Sequence, residues 1–240
     1  MKIALAGAGQ VGLLLATEFC KSEDEVVVLT RTLKPSLEHL KVEIRLTDYY
    51  VDDLKSKLDD CDAGVKWTMI CHGWFMEYVL PTEKNPLREI GLAWAMDHST
   101  KVFDMYADGS QKVTLTSTAD TARAVLAVLR NSINNDAELP PITLLAGQSL
   151  TYRELFQLIQ SRDPAWTSRQ VTFSEVLGDI YEGLKANDPS VAVHQLRILG
   201  FTNGNHNPEV KALKWGTGVL DGLRATTIEE FLNQAEAIDP

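Results

Sequence analysis

The stretch that most constrains this chain is Gly7-Ala8-Gly9-Gln10-Val11-Gly12, which fits G-x-G-x-x-G and directly follows the apolar run Lys2 to Ala6. An amphipathic stretch from Val11 to Cys20 comes next, and a second apolar run, Glu25 to Leu29, ends at Thr30-Arg31. The order is strand, glycine turn, helix, strand, which opens a parallel α/β sheet. Gly7 can adopt the backbone angles of a tight turn, Gly9 leaves the backbone open to approach, and Gly12 lets the helix pack close to the strand. Free N–H groups at the helix start, where Gln10 and Val11 lie, combine with the positive end of the helix dipole to favour the pyrophosphate of a dinucleotide. The same residues also suit a glycine-rich turn in some other α/β protein.

The end of the second strand bears on which dinucleotide. A carboxylate there would bind the ribose hydroxyls of NAD(H), but this chain has Thr30 and Arg31, with Lys34 close behind and no carboxylate until Glu38. A guanidinium suits a 2′-phosphate, so NADP(H) is expected to be preferred over NAD(H), although a solvated surface charge has the same sequence. Val42, Ile44 and Leu46 alternate with charged neighbours as a third strand closed by Asp48. Asp48 suits an acceptor for the adenine amino group and equally a turn or helix-initiating residue.

Composition excludes several classes. With 23 Lys and Arg against 33 Asp and Glu the formal charge is −10, which argues against nucleic acid, and no basic cluster offsets it. No apolar run is long enough to span a bilayer and the N-terminus has no signal-peptide pattern, so a cytoplasmic protein is expected. Cys20, Cys61 and Cys71 form no C-x-x-C and the five histidines are isolated, so neither a disulfide framework nor a metal is expected.

Further along, 52–60 reads as a surface helix and Val65 to Cys71 as a strand ending at His72-Gly73-Trp74-Phe75. Val102 to Tyr106 and Lys112 to Thr116 read as strands around a turn, Ala122 to Leu129 as an apolar helix, and Ile142 to Leu145 as a buried strand. Thr151 to Glu154 opens a helix, Val171 to Phe173 reads as a short strand before a helix over 174–185, Asn187 starts the next helix, and Thr226 to Glu229 caps the last.

The pieces KIALAGAGQVG (2–12), EVVVLTR (25–31), VEIRLTD (42–48), VKWTMICHGWFMEY (65–78), DGSQKVTLTSTADTARAVLAVL (108–129) and LLAGQSLTYRELFQLI (144–159) stand in one order. On them the chain resembles the NmrA-like and isoflavone-reductase-like proteins, an atypical branch of the short-chain dehydrogenases, and its fungal members most closely. The resemblance implies a doubly wound Rossmann-type parallel sheet with a small C-terminal α+β lobe. Residues 1–140 would be the dinucleotide domain and 141–240 a smaller substrate or partner lobe packed on it. It also marks a departure. Where members of the family place two further strand-helix units, roughly 60 residues at about 30 per unit, this chain runs from Cys61-Asp62-Ala63 almost directly into Val65, so a narrowed sheet is expected. The missing units normally carry the nicotinamide-facing loop and the lysine that handles protons. The one Tyr-x-x-x-Lys match, Tyr181 to Lys185, lies far from the family's position for that pair and reads as accidental.

In the family, the stretch matching 71–78 borders the substrate. His72 is the residue there with a proton to exchange near neutral pH, and Cys71, Trp74, Phe75 and Tyr78 would line an apolar pocket. The alternative is that His72 bonds a backbone carbonyl and the aromatics are core. Three functions follow: an NADPH-dependent reductase of a small hydrophobic metabolite, a dinucleotide-sensing regulator with a protein partner, or a redox-neutral tailoring enzyme. A homodimer is left open. Because buried unpaired backbone groups are costly, Val65 to Cys71 is expected to move in beside Ile3 to Ala6, with the link from Asp60 to Gly64 carrying the crossover.

Overall fold

The hydrophobic periods translate into alternating strands and helices in a computed structural model, which describes residues 1–58 and 67–237. In chain order the first half comprises β1 (Lys2–Ala6), α1 (Gln10–Phe19), β2 (Glu25–Thr30), β3 (Glu43–Leu46), α2 (Val51–Lys57), β4 (Met69–Cys71), β5 (Trp74–Phe75), β6 (Met96–Asp97), β7 (Val102–Tyr106) and β8 (Lys112–Thr116). The second comprises α3 (Thr118–Asn134), β9 (Ile142–Leu144), β10 (Gln148–Thr151), α4 (Tyr152–Arg162), β11 (Thr167–Val171), α5 (Phe173–Ala186), α6 (Val191–Arg197) and α7 (Ile228–Ala237). Among the described residues no helix is long and apolar enough to cross a membrane.

The chain packs as two compact units that interleave along the sequence, where a single boundary near residue 140 was expected. One unit takes Met1–Cys71, Thr118–Thr143 and Leu213–Arg224, and the other His72–Ser117, Leu144–Ala212 and the chain from Ala225 on.

The first unit is built on a parallel sheet in the order β1-β2-β3, with Lys2 opposite Glu25 and Val27 opposite Glu43. Ile3, Val26 and Val28 pack with Ala16 and Phe19 of α1 and Ala122 and Leu126 of α3 to form its core. The opposite face is covered unevenly. Val27 and Leu29 are buried, yet their register partners Ala4 and Ala6 are exposed. Among the described residues the sheet ends at β1, and there the cover of this face stops.

That finding overturns the expected place of the strand ending at Cys71. β4 pairs with β9, its Met69 N–H donating to the Pro141 carbonyl at 3.0 Å, and β1 has β2 as its sheet partner among the described residues. The error lay in treating β1 as an interior strand. An exposed edge leaves its N–H and C=O groups to water, which satisfies them without a neighbouring strand. The expected crossover link lies outside the described residues.

In the second unit β8 lies between antiparallel β10 and parallel β5, and β7 between parallel β11 and antiparallel β6. One apolar core runs through Met76, Trp94, Phe103, Leu115, Leu155 and Ile228. Two capping boxes fix helix starts. Thr151 Oγ1 accepts the Glu154 N–H at 3.1 Å while the Glu154 carboxylate accepts the Thr151 N–H at 2.7 Å. At α7 the reciprocal pair is Thr227 and Glu230, one residue beyond the expected Thr226 and Glu229.

Candidate functional site

Gly7 sits at φ +110°, in the region that favours glycine, and its N–H donates to the Leu29 carbonyl at 2.9 Å, tying the turn to the end of β2. A Cβ on Gly12 would lie 2.3 Å from the Gly7 carbonyl oxygen, so no larger residue fits without moving α1. Gly9 differs. A Cβ there meets nothing within 4 Å, and Gly9 caps α1 with no side-chain bond and no acidic residue in the first turn. The geometry is a tight turn, a close helix and open space in front of the helix start, with Val11 exposed at its edge.

At the end of β2, Thr30 is buried and its hydroxyl donates to the Thr32 carbonyl at 3.0 Å, so it shapes the chain's exit from the strand. Arg31 is exposed, and its guanidinium lies 5.4 Å from the ring centroid of Tyr49. Tyr49 takes φ +68°, rare for a bulky residue, and its hydroxyl donates to the Leu29 carbonyl at 2.6 Å. Sequence reading passed over Tyr49, because a left-handed tyrosine has no sequence signature. Asp48 accepts the Tyr50 N–H at 2.8 Å, which is the turn role allowed for it, and its carboxylate is exposed. Lys34 is also exposed, just before a short 3₁₀ turn over Pro35–Leu37.

The pocket residues named from the sequence, apart from Cys71 in β4, belong to the second unit. Gly73 at φ +74° lets the chain press on β8, where a Cβ would meet the Thr114 carbonyl oxygen at 2.3 Å. Thr116 Oγ1 donates to the His72 carbonyl at 2.7 Å. The His72 ring stacks on Phe75 at 4.0 Å between centroids, its Nδ1 is buried without a hydrogen-bond partner, and burial lowers its pKa, so the ring is neutral near pH 7.

Trp74, Tyr78 and Trp94 pack together, Trp74 lying 5.4 Å from Trp94 and 6.0 Å from Tyr78. Tyr78 and Trp94 line a cavity of about 490 Å³ in this unit, with Leu80, Ile90, Met96 and His98 also on its walls. That volume falls in the range of small-molecule sites. Trp74 backs the cavity wall, whereas Phe75 and His72 are not among its lining residues.

Sequence reading missed the charged residues of this cavity. Asp104 of β7 and Arg169 of β11 are register partners, and the guanidinium grips the carboxylate through two bonds, Nε to Oδ1 at 3.0 Å and Nη2 to Oδ2 at 2.9 Å. Arg169 also donates to Glu175 at 2.9 Å. Behind them the buried Arg197 bonds Asp179 at 2.8 Å and approaches Glu175 at 3.5 Å. Burial raises the Asp104 pKa despite the pull of Arg169 and Arg197, and pushes the Tyr106 hydroxyl up to about 12. Tyr181 and Lys185 lie on α5, the lysine 5.1 Å over the tyrosine ring, with both side chains exposed.

No protein-family model matches the chain. Its sequence is similar to the oxidoreductase swnR of Metarhizium robertsii, 21% identical over 263 residues that cover 82% of this chain and 85% of that protein. It is also similar to the oxidoreductase swnR of Arthroderma benhamiae, 18% identical over 228 residues covering 68% and 74%. The 82% share of 240 residues is about 197, so about 66 of the 263 aligned positions have no counterpart here. That is the size of two strand-helix units. Among solved structures the chain is similar to an isoflavone reductase, with a TM-score of 0.62 at 16% identity over 97% of this chain and 98% of that one. A nucleoside-diphosphate-sugar epimerase from Staphylococcus aureus aligns with a TM-score of 0.55 at 15% identity over 97% and 99%. The fold is Rossmann-like. Its parallel β1-β2-β3 sheet with a glycine turn after β1 matches the first half of that fold.

Proposed function

We propose that this chain is an NADP(H)-binding oxidoreductase of the NmrA-like type that acts on a small hydrophobic metabolite. The observation that carries the reading is the glycine turn. Gly7 and Gly12 are constrained by the fold, but the space in front of Gly9 is left open at an uncapped helix start, as a pyrophosphate requires. Gln10 and Val11 begin that helix. Arg31, stacked on Tyr49 at the end of β2, and Lys34 supply positive charge for a 2′-phosphate, and the exposed Asp48 lies at the same end of the sheet. The cavity beside Tyr78 and Trp94 is the proposed place of the metabolite. The names of the swnR relatives and the fold of the reductase support the assignment.

A second reading, binding without hydride transfer, is favoured by the roughly 66 aligned positions of the relative that have no counterpart here. The desolvated His72 adds to it, since burial keeps the ring neutral and its Nδ1 has no hydrogen-bond partner among the described residues. Titration of the protein with NADPH, followed by the fluorescence of the bound nicotinamide, tests binding. Oxidation of NADPH in the presence of carbonyl or alkene substrates tests turnover. Saturable binding with substrate-dependent oxidation is expected; saturable binding without oxidation selects the second reading, and no binding rejects both.

A further inference from the structure

Helix α5 carries two apolar arcs, and the core uses one of them. Val176 is buried and Ile180 packs against the core of its unit. At 3.6 residues per turn, Phe173, Leu177, Tyr181 and Leu184 fall within about 80° of one another on an adjoining arc. These four are 47%, 45%, 61% and 59% exposed. With roughly 150–250 Å² on a large side chain, about 400 Å² of apolar surface stands in water along one helix. A contiguous apolar patch of that size is often functional.

Gly178 is a second observation on the same helix. Glycine weakens a helix interior relative to alanine, yet this one lies mid-helix where a Cβ would meet nothing within 4 Å, so no contact among the described residues requires it. Gly183 differs, because a Cβ there would lie 2.5 Å from the Val191 side chain. Ser174 and Gly178, four residues apart, form a shallow row beside the ridge of Phe173, Leu177 and Tyr181. A ridge of large side chains next to a trough of small ones is what a second helix with the same ridge packs into.

Symmetry and charge select the occupant. In an antiparallel crossing about a two-fold axis between Gly178 and Asp179, Phe173 of each copy comes opposite Leu184 of the other, and Leu177 opposite Tyr181. The stripe is therefore complementary to itself. The charges of α5 are matched within the chain: Glu175 by Arg169 at 2.9 Å, Asp179 by Arg197 at 2.8 Å and Glu182 by Lys185 at 3.4 Å. A partner of opposite charge finds nothing to recognise there, while a second copy meets no repulsion. Two copies bury about 800 Å² from the four side chains alone, and the small row and flanks of a helix crossing raise this to the roughly 1,000 Å² that a specific contact needs.

We infer that two copies of this chain associate through α5, with Phe173, Leu177, Tyr181 and Leu184 packed across a two-fold axis beside Gly178. An interface at the low end of the size range is reversible. The inference is independent of the dinucleotide and of the metabolite.

Sedimentation equilibrium of the whole chain tests it. A monomer–dimer equilibrium with a midpoint of roughly 1–100 µM is expected for so small a contact. Leu177→Glu puts a carboxylate on each copy beside the axis, and Gly178→Leu fills the trough from a Cβ that meets no atom of its own chain. Each should weaken association at least about 10-fold. Gly178→Leu also exchanges glycine for a stronger helix former, so its Tm should hold or rise, and it carries the test even if Leu177→Glu does not fold. Leu196→Glu, on α6 and similarly exposed at 44%, should leave the equilibrium unchanged. A chain that stays monomeric up to about 1 mM, beyond the range of a specific contact, overturns the inference. So does a dimer that Gly178→Leu leaves intact, or one that Leu196→Glu weakens as much.

Discussion

Replacing Gly9 by valine separates the proposed role of the glycine turn from its role in folding. Gly9 has φ −73° and ψ −178°, extended backbone open to any residue, and a Cβ there has no neighbour within 4 Å. The fold therefore has no steric objection to valine. The remaining cost is that of valine at a helix N-cap, about 1 kcal/mol, which in a chain of this size lowers Tm by about 2–4 °C. If a pyrophosphate lies against the turn, the branched side chain takes its place. Losing one charge-assisted hydrogen bond of roughly 1.5–3 kcal/mol weakens binding about 10- to 150-fold. Thermal unfolding and NADPH titration of the same preparation read the two effects independently. A variant that keeps native affinity with a near-native Tm would show that the space in front of Gly9 holds no phosphate.

The other glycine gives the opposite pattern. Gly12→Ala forces a Cβ to 2.3 Å from the Gly7 carbonyl oxygen, and denaturant unfolding should show a loss of about 1–3 kcal/mol. Arg197→Ala leaves the part-exposed Asp179 without this partner, while Glu175 keeps its bond from Arg169, and should cost about 1–3 kcal/mol in the same assay, whereas no measurable loss would mean that water replaces the guanidinium. Burial acts to raise the pKa of Asp24, but bonds from Ser22, the N-terminal ammonium and Arg130 outweigh it, so the net shift is downward. Its stabilisation is thus present above the unfolded carboxyl value of about 4 and lost as pH falls through the lower folded value. Asp24→Asn should flatten the stability–pH curve below pH 4.

Local physics was legible where residues close in sequence settle the outcome. The glycine spacing, the apolar runs of β1 and β2, and the helix start at Thr151 each depend on residues within a turn or two, and they stand where the sequence placed them. The strand read at Val171 to Phe173 is observed over Thr167–Val171, since its Thr-Ser-Arg-Gln stretch is exposed and shows no apolar alternation. Pairing was less legible. β4 alongside β9 joins segments about 70 residues apart, and nothing in Met69-Ile70-Cys71 distinguishes that partner from β1. Asp104 and Arg169 illustrate the same limit at the cavity. Each looks like a surface charge in the sequence, and only the parallel register of β7 and β11 sets one against the other.

Arg31 and Tyr49 carry the prediction that bears most directly on cofactor choice. The guanidinium is exposed and lies over a ring whose own position is fixed, since the Tyr49 hydroxyl is bonded to the Leu29 carbonyl one strand away. Stacking restricts a flexible side chain before any ligand arrives, so less conformational entropy remains to be lost on binding a 2′-phosphate. Arg31→Asp exchanges that guanidinium for the carboxylate that suits ribose hydroxyls. NADPH affinity should fall about 10- to 150-fold, the range for a lost charge-assisted contact, while NADH affinity holds or rises, reversing the preference. Tyr49→Leu should act in the same direction and less strongly, through Arg31 alone: a loss of about 0.5–1 kcal/mol for an exposed cation–ring contact is roughly 2- to 5-fold for NADPH and none for NADH, which has no 2′-phosphate. The NADPH-to-NADH affinity ratio is therefore the readout, since general damage to the turn would lower both together. Equal affinities of the native chain for the two dinucleotides would refute the role of Arg31, and a Tyr49→Leu variant that loses both alike would reduce the tyrosine to a structural prop.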